Sequence, residues 1–235
     1  MGADADDGEL AGLFEAVGGE FKASPSALAA ALAGCRAIVL DWDGVFNSGG
    51  KGEGGASASG FSEPDSMGLN LLRYGLWRRD GRLPVTAVIS SEDNPSALRF
   101  AEREHLHALY GGFHDKREPL RRLREAHGLD PAQVGFVFDD VNDLGAAGGC
   151  GARFLVRRRA SPLLRRYVTD NRLCDYVTGA QGGEGAVREV AELALGLLGC
   201  FDEVVGSRTA FDDDYRAYWA VRQACATGHH RADGG

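Results

Sequence analysis

Short apolar runs alternate with amphipathic stretches along most of the chain. Four runs rich in β-branched and aromatic residues predict buried strands: AIVL (37–40), VTAVIS (85–90), VGFVF (134–138) and RFLV (153–156). The pattern between and after them predicts helices over roughly 65–79, 95–106, 116–128, 160–170 and 185–198. This alternation predicts an α/β protein, a Rossmann-like three-layer α/β/α sandwich with a mainly parallel sheet.

The 235 residues suit one well-packed domain, which we place at 35–199. The N-terminal extension, 1–34, begins with an acidic, Gly-rich stretch that forms either a loose arm or a docked helix. Ser24-Pro25 then supplies an N-cap and a first-turn proline for a further helix. The C-terminal extension, 200–235, contains one amphipathic helical pattern, RTAFDDDYRAYWAVRQ. We expect its aromatic residues to pack on the core or on a partner: Tyr215, Tyr218 and Trp219.

Composition narrows the class of protein. The formal net charge of -8, without a long basic stripe, argues against a nucleic-acid partner. No apolar stretch is long enough for a signal or a membrane span, so we expect no membrane partner and a cytoplasmic location. The five cysteines are scattered and odd in number, which predicts free thiols in a reducing compartment.

Polar residues end three of the predicted strands. Asp41, Ser90 and Asp139 each follow a buried apolar run directly. Ligands of open parallel α/β sheets bind at the carboxyl ends of the strands, so these three groups are expected to meet at one edge. Each residue alone also suits an ordinary strand end or helix cap, but the coincidence of three favours a site.

The segment Asp41-Trp42-Asp43-Gly44 carries two carboxylates two residues apart, with a glycine that permits the chain to turn. One carboxylate, Asp41, can attack phosphorus and form an aspartyl-phosphate. The other, Asp43, can protonate the leaving oxygen and then deprotonate the hydrolytic water. A phosphate beside carboxylates requires a hard cation such as Mg²⁺, with Asp41 and Asp43 among its candidate ligands. A calcium loop is excluded because the twelfth loop position lacks glutamate.

A second acidic cluster, Asp139-Asp140-Val141-Asn142-Asp143, follows another predicted strand. Asp139 is the best further candidate for a metal ligand. We expect Asp140 to order Lys116 and Asp143 to support the ligands from behind. The alternative for one of these acids is that it only caps the helix that begins near Asn142.

Two further residues complete the candidate catalytic set. The Ser90 hydroxyl, together with backbone N–H groups of its turn, can donate to a phosphoryl oxygen. Lys116 follows Gly111-Gly112 and can neutralise charge that develops on the phosphoryl group. A lysine taken singly is more often a solvated surface residue, but this constellation favours a catalytic role.

The order Asp-x-Asp, Ser, Lys, Asp-Asp resembles the four motifs of the haloacid dehalogenase superfamily, and the likeness runs through residues 36–198. FSEPDSMGLNLL (61–72) and GGEGAVRE (182–189) are similar to segments of the 3-deoxy-D-manno-octulosonate 8-phosphate phosphatase branch. The short gap between Gly44 and Ser90 leaves no room for a large cap domain. The resemblance therefore implies a capless, Mg²⁺-dependent phosphatase that forms a homotetramer, with a neighbour's loop covering the site.

The residues after Ser90 bear on the substrate. The sequence SSEDNP, with Glu92 as a candidate substrate contact, is similar to nonulosonate 9-phosphate phosphatases and to the phosphatase-like domain of animal CMP-sialic acid synthetases. Arg99 and Arg103 lie four residues apart, so they form either a face that binds a sugar carboxylate or an exposed basic helix face. The resemblance also implies that Arg188 reaches a neighbouring subunit's substrate. The implied substrate is a small phosphorylated sugar acid.

Two departures from that family's pattern keep alternatives open. Phe138 stands where the family usually has glycine, and its ring is expected to narrow the pocket or tilt Asp139. The Gly-rich segment 47–60 is either a solvated loop or a mobile flap over the site. A catalytically weak tetramerisation module in a sugar-activation pathway is therefore the alternative to an enzyme. Phosphotransfer to a second sugar is a further option, although no acceptor site is evident.

Overall fold

The computed structural model describes residues 3–53 and 60–232. In chain order, the elements of the first half are α1 (Ala3–Ala16), β1 (Glu20–Phe21), α2 (Pro25–Ala33), β2 (Ala37–Leu40), α3 (Glu63–Asp80), β3 (Val85–Ile89), α4 (Pro95–Arg103), β4 (Ala108–Gly111) and α5 (Arg117–His127). Those of the second half are β5 (Val134–Phe138), α6 (Leu144–Ala147), β6 (Ala152–Arg157), α7 (Pro162–Asp170), β7 (Tyr176–Gln181), α8 (Ala186–Leu197), α9 (Phe201–Ala210), α10 (Asp213–Gln223) and β8 (Gly228–Arg231). Short 3₁₀ turns precede β5 and α6.

The strands form one sheet in the order β1-β7-β6-β5-β2-β3-β4-β8. Only β1, at one edge, pairs antiparallel with its neighbour; the other pairs within the described chain are parallel. The central strands β2, β3 and β5 are buried at every residue, because helices cover both faces of a parallel sheet. The carboxyl ends of β2, β3, β5 and β6 therefore meet at the same edge.

Two apolar clusters, one on each face of the sheet, make the three layers. The larger contains the inner faces of α2, α3, α4, α8 and α10 together with Trp42, Phe46 and Phe100. The smaller contains residues of α5, α6 and α7 packed on the other face of the same strands. The predicted α/β class and mainly parallel sheet are confirmed. No helix in the described part of the chain has the length and apolar character that a membrane span needs.

The four predicted strands and the five predicted helices of the central region all form, with ends shifted by a few residues. The predicted helix start is also confirmed, since the Ser24 side chain accepts a hydrogen bond from the Ala27 N–H (3.2 Å). The C-terminal prediction of one helix was wrong, because two helices form there. Phe211 has a φ of 50° and ends α9, and the Asp212 side chain caps α10 by accepting from the Tyr215 N–H (2.9 Å).

Strands β1, β4, β7 and β8 were not predicted. Two of them are short or polar, GHHR in β8 and EF in β1, and neither shows an apolar alternation. The aromatic residues of the C-terminal extension do pack on the core, and Tyr215 lies edge-on to Tyr74 with ring centroids 5.0 Å apart. Both Tyr215 and Tyr218 are fully buried. The tip of the predicted flap, 54–59, lies outside the described residues.

The expectation that the Phe138 ring narrows the pocket was wrong. Its ring lies in the smaller apolar cluster, fully buried, and stacks on Phe136 with centroids 5.5 Å apart and planes 17° apart. Alternate residues of β5 face the same side of the sheet, so Phe138 faces the smaller cluster together with Phe136 and Val134. The ring therefore does not line the cavity described below.

Candidate active site

A cavity of about 330 Å³ opens at the carboxyl edge of the sheet. Eight of the residues singled out from the sequence line it, with five further ones. The predicted set in the lining is Asp41, Asp43, Ser90, Glu92, Lys116, Asp139, Asp140 and Asp143. The others are Gly49, Lys51, Ser91, Asn142 and Arg158.

The turn after β2 aims two carboxylates into this cavity. The ring of Trp42 is fully buried against Phe46 and Phe100, so the aspartates on either side of it project away from the core. Gly44 then continues the turn with a φ of 88°, which strongly favours glycine. The Trp42 N–H donates to Asp41 Oδ1 (2.7 Å), which fixes the orientation of that carboxylate.

Lys116 is buried between two carboxylates of the site. Its Nζ lies 2.6 Å from Asp41 Oδ1 and 2.5 Å from Asp143 Oδ1, with 2% of the side chain exposed. Burial alone would lower the pKa of Lys116, but the carboxylates of Asp41 and Asp143 raise it well above its ordinary value. The expectation that Asp140 orders Lys116 was wrong, because Asp143 occupies that place.

The turn after β5 explains the division of roles among its acids. The Asp140 side chain accepts from the Val141 N–H (2.7 Å) and caps the short 3₁₀ turn 141–143. Asp143 is fully buried, and its Oδ2 accepts from the backbone N–H of Asp140 (3.1 Å) while its Oδ1 faces Lys116. Asp140 is thus the capping acid of the cluster, which was one of the two interpretations left open.

Three carboxylates converge closely enough to hold one cation. Oxygen atoms of Asp41, Asp139 and Asp143 all lie within 4.8 Å of one another, and all three residues are buried. Asp139 Oδ1 is buried and has no hydrogen-bond partner among the described residues. This all-oxygen set with an unsatisfied oxygen fits a hard cation such as Mg²⁺. It differs from the predicted ligand set, since it contains the carboxylate of Asp143 and not that of Asp43.

The crowding of these acids changes their pKa values. Burial, and next the Asp41 carboxylate, raise the pKa of Asp139 well above its ordinary value. Burial and the Asp41 carboxylate likewise raise the pKa of Asp143, although Lys116 opposes the shift. Concentrated, partly desolvated negative charge of this kind is typical of functional sites. A cation bound at this cluster would relieve it.

Ser90 presents its hydroxyl beside the acids. The residue is 2% exposed, its N–H donates to the Tyr110 carbonyl (2.8 Å), and its own carbonyl accepts from the Phe113 N–H (3.2 Å). Ser90 Oγ accepts from the Glu92 N–H (3.2 Å), so the turn wraps around the hydroxyl. The side chain of Glu92 is exposed at the rim of the cavity.

Sequence reasoning missed two cations of the cavity. Arg158 directly follows β6, and its Nε donates to Asp139 Oδ2. The strand-end argument, applied to the RFLV run, points to Arg157, and Arg158 follows one residue later because β6 extends through Arg157. Lys51 pairs with Asp43 and belongs to the Gly-rich segment, where composition gave no signal.

The structure does not bring the three predicted substrate arginines into this chain's cavity. Arg103 pairs with Glu63 (2.8 Å) and Glu104 (2.9 Å). Arg188 pairs with Glu192, and Arg99 is exposed on α4. Within one protomer, none of the three lines the site.

The two segments that carried the family resemblance touch each other. Asp65 of the FSEPDSMG segment is fully buried and accepts from the Arg188 N–H (2.9 Å) at the start of α8. A Cβ on Gly68 would lie 2.8 Å from Arg188 Cα, so glycine is needed for this approach. At the other end of the GGEG run, a Cβ on Gly182 would lie 2.1 Å from the Gly44 carbonyl oxygen. The signature therefore packs α8 on α3 and supports the turn that carries Asp41 and Asp43.

Two carboxylates follow the central strand, and a hydroxyl, a buried lysine and an acidic turn surround them. Phosphatases of the haloacid dehalogenase superfamily have this arrangement. No protein-family model matches the chain. It is 30% identical over 173 residues to the 3-deoxy-D-manno-octulosonate 8-phosphate phosphatase of Salmonella typhi, covering 73% of this chain and 85% of that protein. The chain belongs to this phosphatase family.

Solved structures of the family share the fold. The Yersinia pestis 3-deoxy-D-manno-octulosonate 8-phosphate phosphatase is 27% identical with a TM-score of 0.62, covering 74% of this chain and 88% of that one. The Moraxella catarrhalis enzyme, in complex with a magnesium ion, a phosphate ion and KDO, is 24% identical with a TM-score of 0.63. That likeness covers 77% of this chain and 97% of the other. The predicted resemblance and phosphatase class are confirmed, and magnesium is present in a relative.

Proposed function

We propose that the chain is a Mg²⁺-dependent phosphomonoesterase that hydrolyses a phosphorylated sugar acid through an aspartyl-phosphate on Asp41. The observation that carries this proposal is the buried Lys116 ammonium, held 2.6 Å from Asp41 beside three converging carboxylates. Stability alone is a weak reason to bury a lysine there, because apolar replacement of a buried ion pair is often neutral or stabilising. A cation beside a nucleophilic carboxylate does serve phosphoryl transfer.

In the first half-reaction, an oxygen of Asp41 attacks phosphorus and the bond from phosphorus to the sugar oxygen breaks. Asp41 Oδ1 accepts from Lys116 and from the Trp42 N–H, so we assign the attack to Oδ2. Asp43 gives its proton to the departing sugar oxygen. Lys116 and the Ser90 hydroxyl donate to the phosphoryl oxygens as charge moves onto them.

In the second half-reaction, Asp43 takes a proton from a water molecule that attacks the phosphorus of the aspartyl-phosphate. The bond between phosphorus and the Asp41 oxygen breaks, which releases inorganic phosphate and returns both carboxyl groups to their starting states. The Mg²⁺ that Asp41, Asp139 and Asp143 would hold supplies neutralising charge for the phosphoryl oxygens. Asp140 supports this arrangement as the cap of the turn that carries Asp139 and Asp143.

The substrate class rests on the family. Relatives are named for octulosonate 8-phosphate, and the SSEDNP sequence resembles nonulosonate 9-phosphate phosphatases, so we propose a sugar acid phosphate of one of these types. The cavity of about 330 Å³ has room for a phosphorylated sugar end. Glu92 at the rim is placed to accept from a sugar hydroxyl.

We also propose a homotetramer in the cytoplasm. Arg99, Arg103 and Arg188 lie outside their own chain's cavity, so any contact with substrate would be made in a neighbouring subunit. The five cysteines are free thiols, which suits a reducing compartment. Light scattering coupled to size exclusion tests the assembly: a mass near that of one 25.0 kDa chain would refute it.

The test of function is phosphate release from a panel of sugar phosphates, with Mg²⁺ or with EDTA, by the wild type and by Asp41→Asn. The panel contains octulosonate 8-phosphate, nonulosonate 9-phosphates, and hexose and heptose phosphates. We expect Mg²⁺-dependent turnover of one sugar acid phosphate that the substitution abolishes. Turnover that Asp41→Asn leaves intact would refute the mechanism, and a preference for hexose phosphates would refute the substrate class.

The alternative of a weak assembly module loses its main support in the structure. That alternative depended on Phe138 disturbing the site, and its ring lies in the smaller apolar cluster, outside the cavity lining. The structure offers no specific observation in favour of phosphotransfer to a second sugar, so hydrolysis is the function that we propose.

A further inference from the structure

The guanidinium of Arg158 contacts one of the three carboxylates that form the candidate metal site. Arg158 is the first residue after β6, and its Nε donates to Asp139 Oδ2. The Asp139 side chain is fully buried, whereas 32% of the Arg158 side chain is exposed. The guanidinium therefore reaches from the rim of the cavity down to a carboxylate that solvent does not touch.

Two glycines make room for this guanidinium. A Cβ on Gly44 would lie 2.1 Å from Arg158 Nη2, and one on Gly49 would lie 2.9 Å from the same atom. Both glycines have positive φ values, 88° and 77°, which L side chains rarely adopt. The backbone at these two glycines, both of which follow Asp43, is thus shaped around Arg158.

With Arg158 in place, every carboxylate of the cluster meets a cation of the protein. Lys116 contacts Asp41 and Asp143, and Arg158 contacts Asp139. The two cations differ in their freedom to move, since Lys116 is 2% exposed and is enclosed by its partners. Arg158 has a long side chain that reaches the rim, so its guanidinium has a route to solvent when it releases Asp139.

We propose that Arg158 competes with the divalent cation for Asp139 and so holds the metal affinity of the site low. This inference rests on the divalent site of the proposed function. A cation bound at the cluster lies close to the guanidinium, and their repulsion is strong in a partly desolvated cavity. Binding of the metal therefore requires Arg158 to release Asp139 Oδ2 or to share the carboxylate. Loss of the positive charge removes both obstacles.

The test is direct titration of the metal-free protein with Mn²⁺ at pH 8, followed by electron paramagnetic resonance of the free ion. We expect Arg158→Gln to bind Mn²⁺ roughly 10- to 100-fold more tightly than the wild type, the range typical of changes next to a metal ligand. Arg159→Gln is the matched control, because it removes the same charge one residue along, at an exposed side chain outside the cavity lining. We expect the control to bind Mn²⁺ as the wild type does.

Arg158→Lys and Asp139→Asn make the result decisive. Arg158→Lys keeps the positive charge, so its Mn²⁺ affinity should stay near that of the wild type. It is the variant to measure if Arg158→Gln does not fold. Equal or weaker Mn²⁺ binding by Arg158→Gln, with binding lost in Asp139→Asn, would overturn the competition and leave the metal site standing. Undiminished binding by Asp139→Asn would instead overturn the metal site itself, and the inference with it.

Discussion

Lys116 Nζ lies 2.6 Å from Asp41 Oδ1, and 2% of the lysine side chain is exposed. The contact joins the start of α5 to the turn after the central strand β2, which are 75 residues apart in the sequence numbering (116 minus 41). Asp143 completes the arrangement from the turn after β5, 2.5 Å from the same Nζ. A single ammonium thus fixes the relative positions of two carboxylates from separate strands, which is the kind of preorganisation that phosphoryl transfer needs.

Replacement of this ammonium should abolish most of the catalytic rate. We expect Lys116→Met to lower kcat by about 10²- to 10³-fold, the usual effect of removing one preorganised transition-state donor. Arg117→Met is the matched control, since it removes a cation one residue along that is 69% exposed, pairs with Asp115 and lies outside the cavity lining. We expect a much smaller loss there, because exposed ion pairs contribute little. Steady-state kinetics on the substrate found in the panel measures both, and a Lys116→Met effect on KM alone would contradict the assignment.

Gly44 should prove essential to the site for two separable reasons. Alanine there must adopt a φ of 88°, and its Cβ would lie 2.1 Å from Asp139 Oδ2 and from Arg158 Nη2. We expect Gly44→Ala to lower kcat/KM by about 100-fold or more, since small displacements of catalytic groups have large effects.

The Gly81→Ala variant separates the two effects, because it has the backbone strain of a positive φ without the steric clash of an added Cβ. Gly81 has a φ of 70° at the end of α3, and no atom of the described residues lies within 4 Å of a Cβ built on it. The Gly81→Ala variant should therefore have a free energy of unfolding about 1 kcal/mol lower than that of the wild type, and it should keep its activity. Urea denaturation and kinetics of both variants provide the comparison. Equal activity of the two variants would show that the cavity tolerates a methyl group at residue 44.

The sequence predicted the centre of this molecule better than its edges. Strands β2, β3 and β5 are buried throughout, so their apolar runs were plain, and the polar residue after each one marked the catalytic edge. Edge strands such as β8, with the sequence GHHR, are held by backbone pairing with β4, which leaves no apolar pattern to detect.

Within the site, residue types were predictable but contacts were not. Sequence order identified Asp41, Lys116 and the acidic turn, yet it could not decide which acid faces the lysine. That choice depends on the 3₁₀ turn 141–143, where the Asp140 side chain is used by the Val141 N–H and Asp143 is left to face Lys116. The ring of Phe138 was misassigned because β5 is buried on both faces, so its side chains pack in the apolar clusters and only the residue after the strand, Asp139, lines the cavity.

Acid should destabilise the fold through His107. Burial, and next the charges of Arg73 and His127, lower the pKa of His107 to about 4 from an ordinary 6.5. Its Nδ1 accepts from the Thr86 N–H (3.1 Å), a role that only the unprotonated nitrogen can fill. Between pH 6.5 and 4 the unfolded chain binds more protons at this residue than the folded one does. The free energy of unfolding therefore falls as the pH falls through this window, by about 2 kcal/mol at pH 5.

Urea denaturation at pH 7.5 and pH 5 measures this contribution. His107→Gln retains an acceptor for the Thr86 N–H but cannot take up a proton, so its stability should fall less between the two pH values. His114→Gln, at an exposed position, is the control and should lose as much stability on acidification as the wild type. If His107→Gln and the wild type lose the same amount, the buried imidazole is not the source of acid sensitivity.

The buried ion pair between Glu104 and Arg222 should make the C-terminal helix α10 part of the fold. Arg222 Nη2 lies 2.5 Å from Glu104 Oε2, with 4% and 7% of the two side chains exposed. Glu104 Oε1 also accepts from the Ser66 hydroxyl (2.9 Å), so one carboxylate links α3, α4 and α10. We expect Arg222→Met to lower the free energy of unfolding by roughly 3–5 kcal/mol, because it leaves a buried carboxylate without its main counter-charge.

Two comparisons make this prediction specific. Arg216→Met removes an arginine of the same helix whose partner, Asp213, is 99% exposed, and it should cost less than about 1 kcal/mol. The double variant Arg222→Met/Glu104→Gln removes both charges, so it should recover part of the loss relative to Arg222→Met alone. Urea denaturation of the wild type, Arg222→Met, Glu104→Gln and the double variant gives the coupling energy between the pair. Additive losses in the double variant would mean that α10 is held by its buried tyrosines, and that the ion pair contributes nothing to its docking.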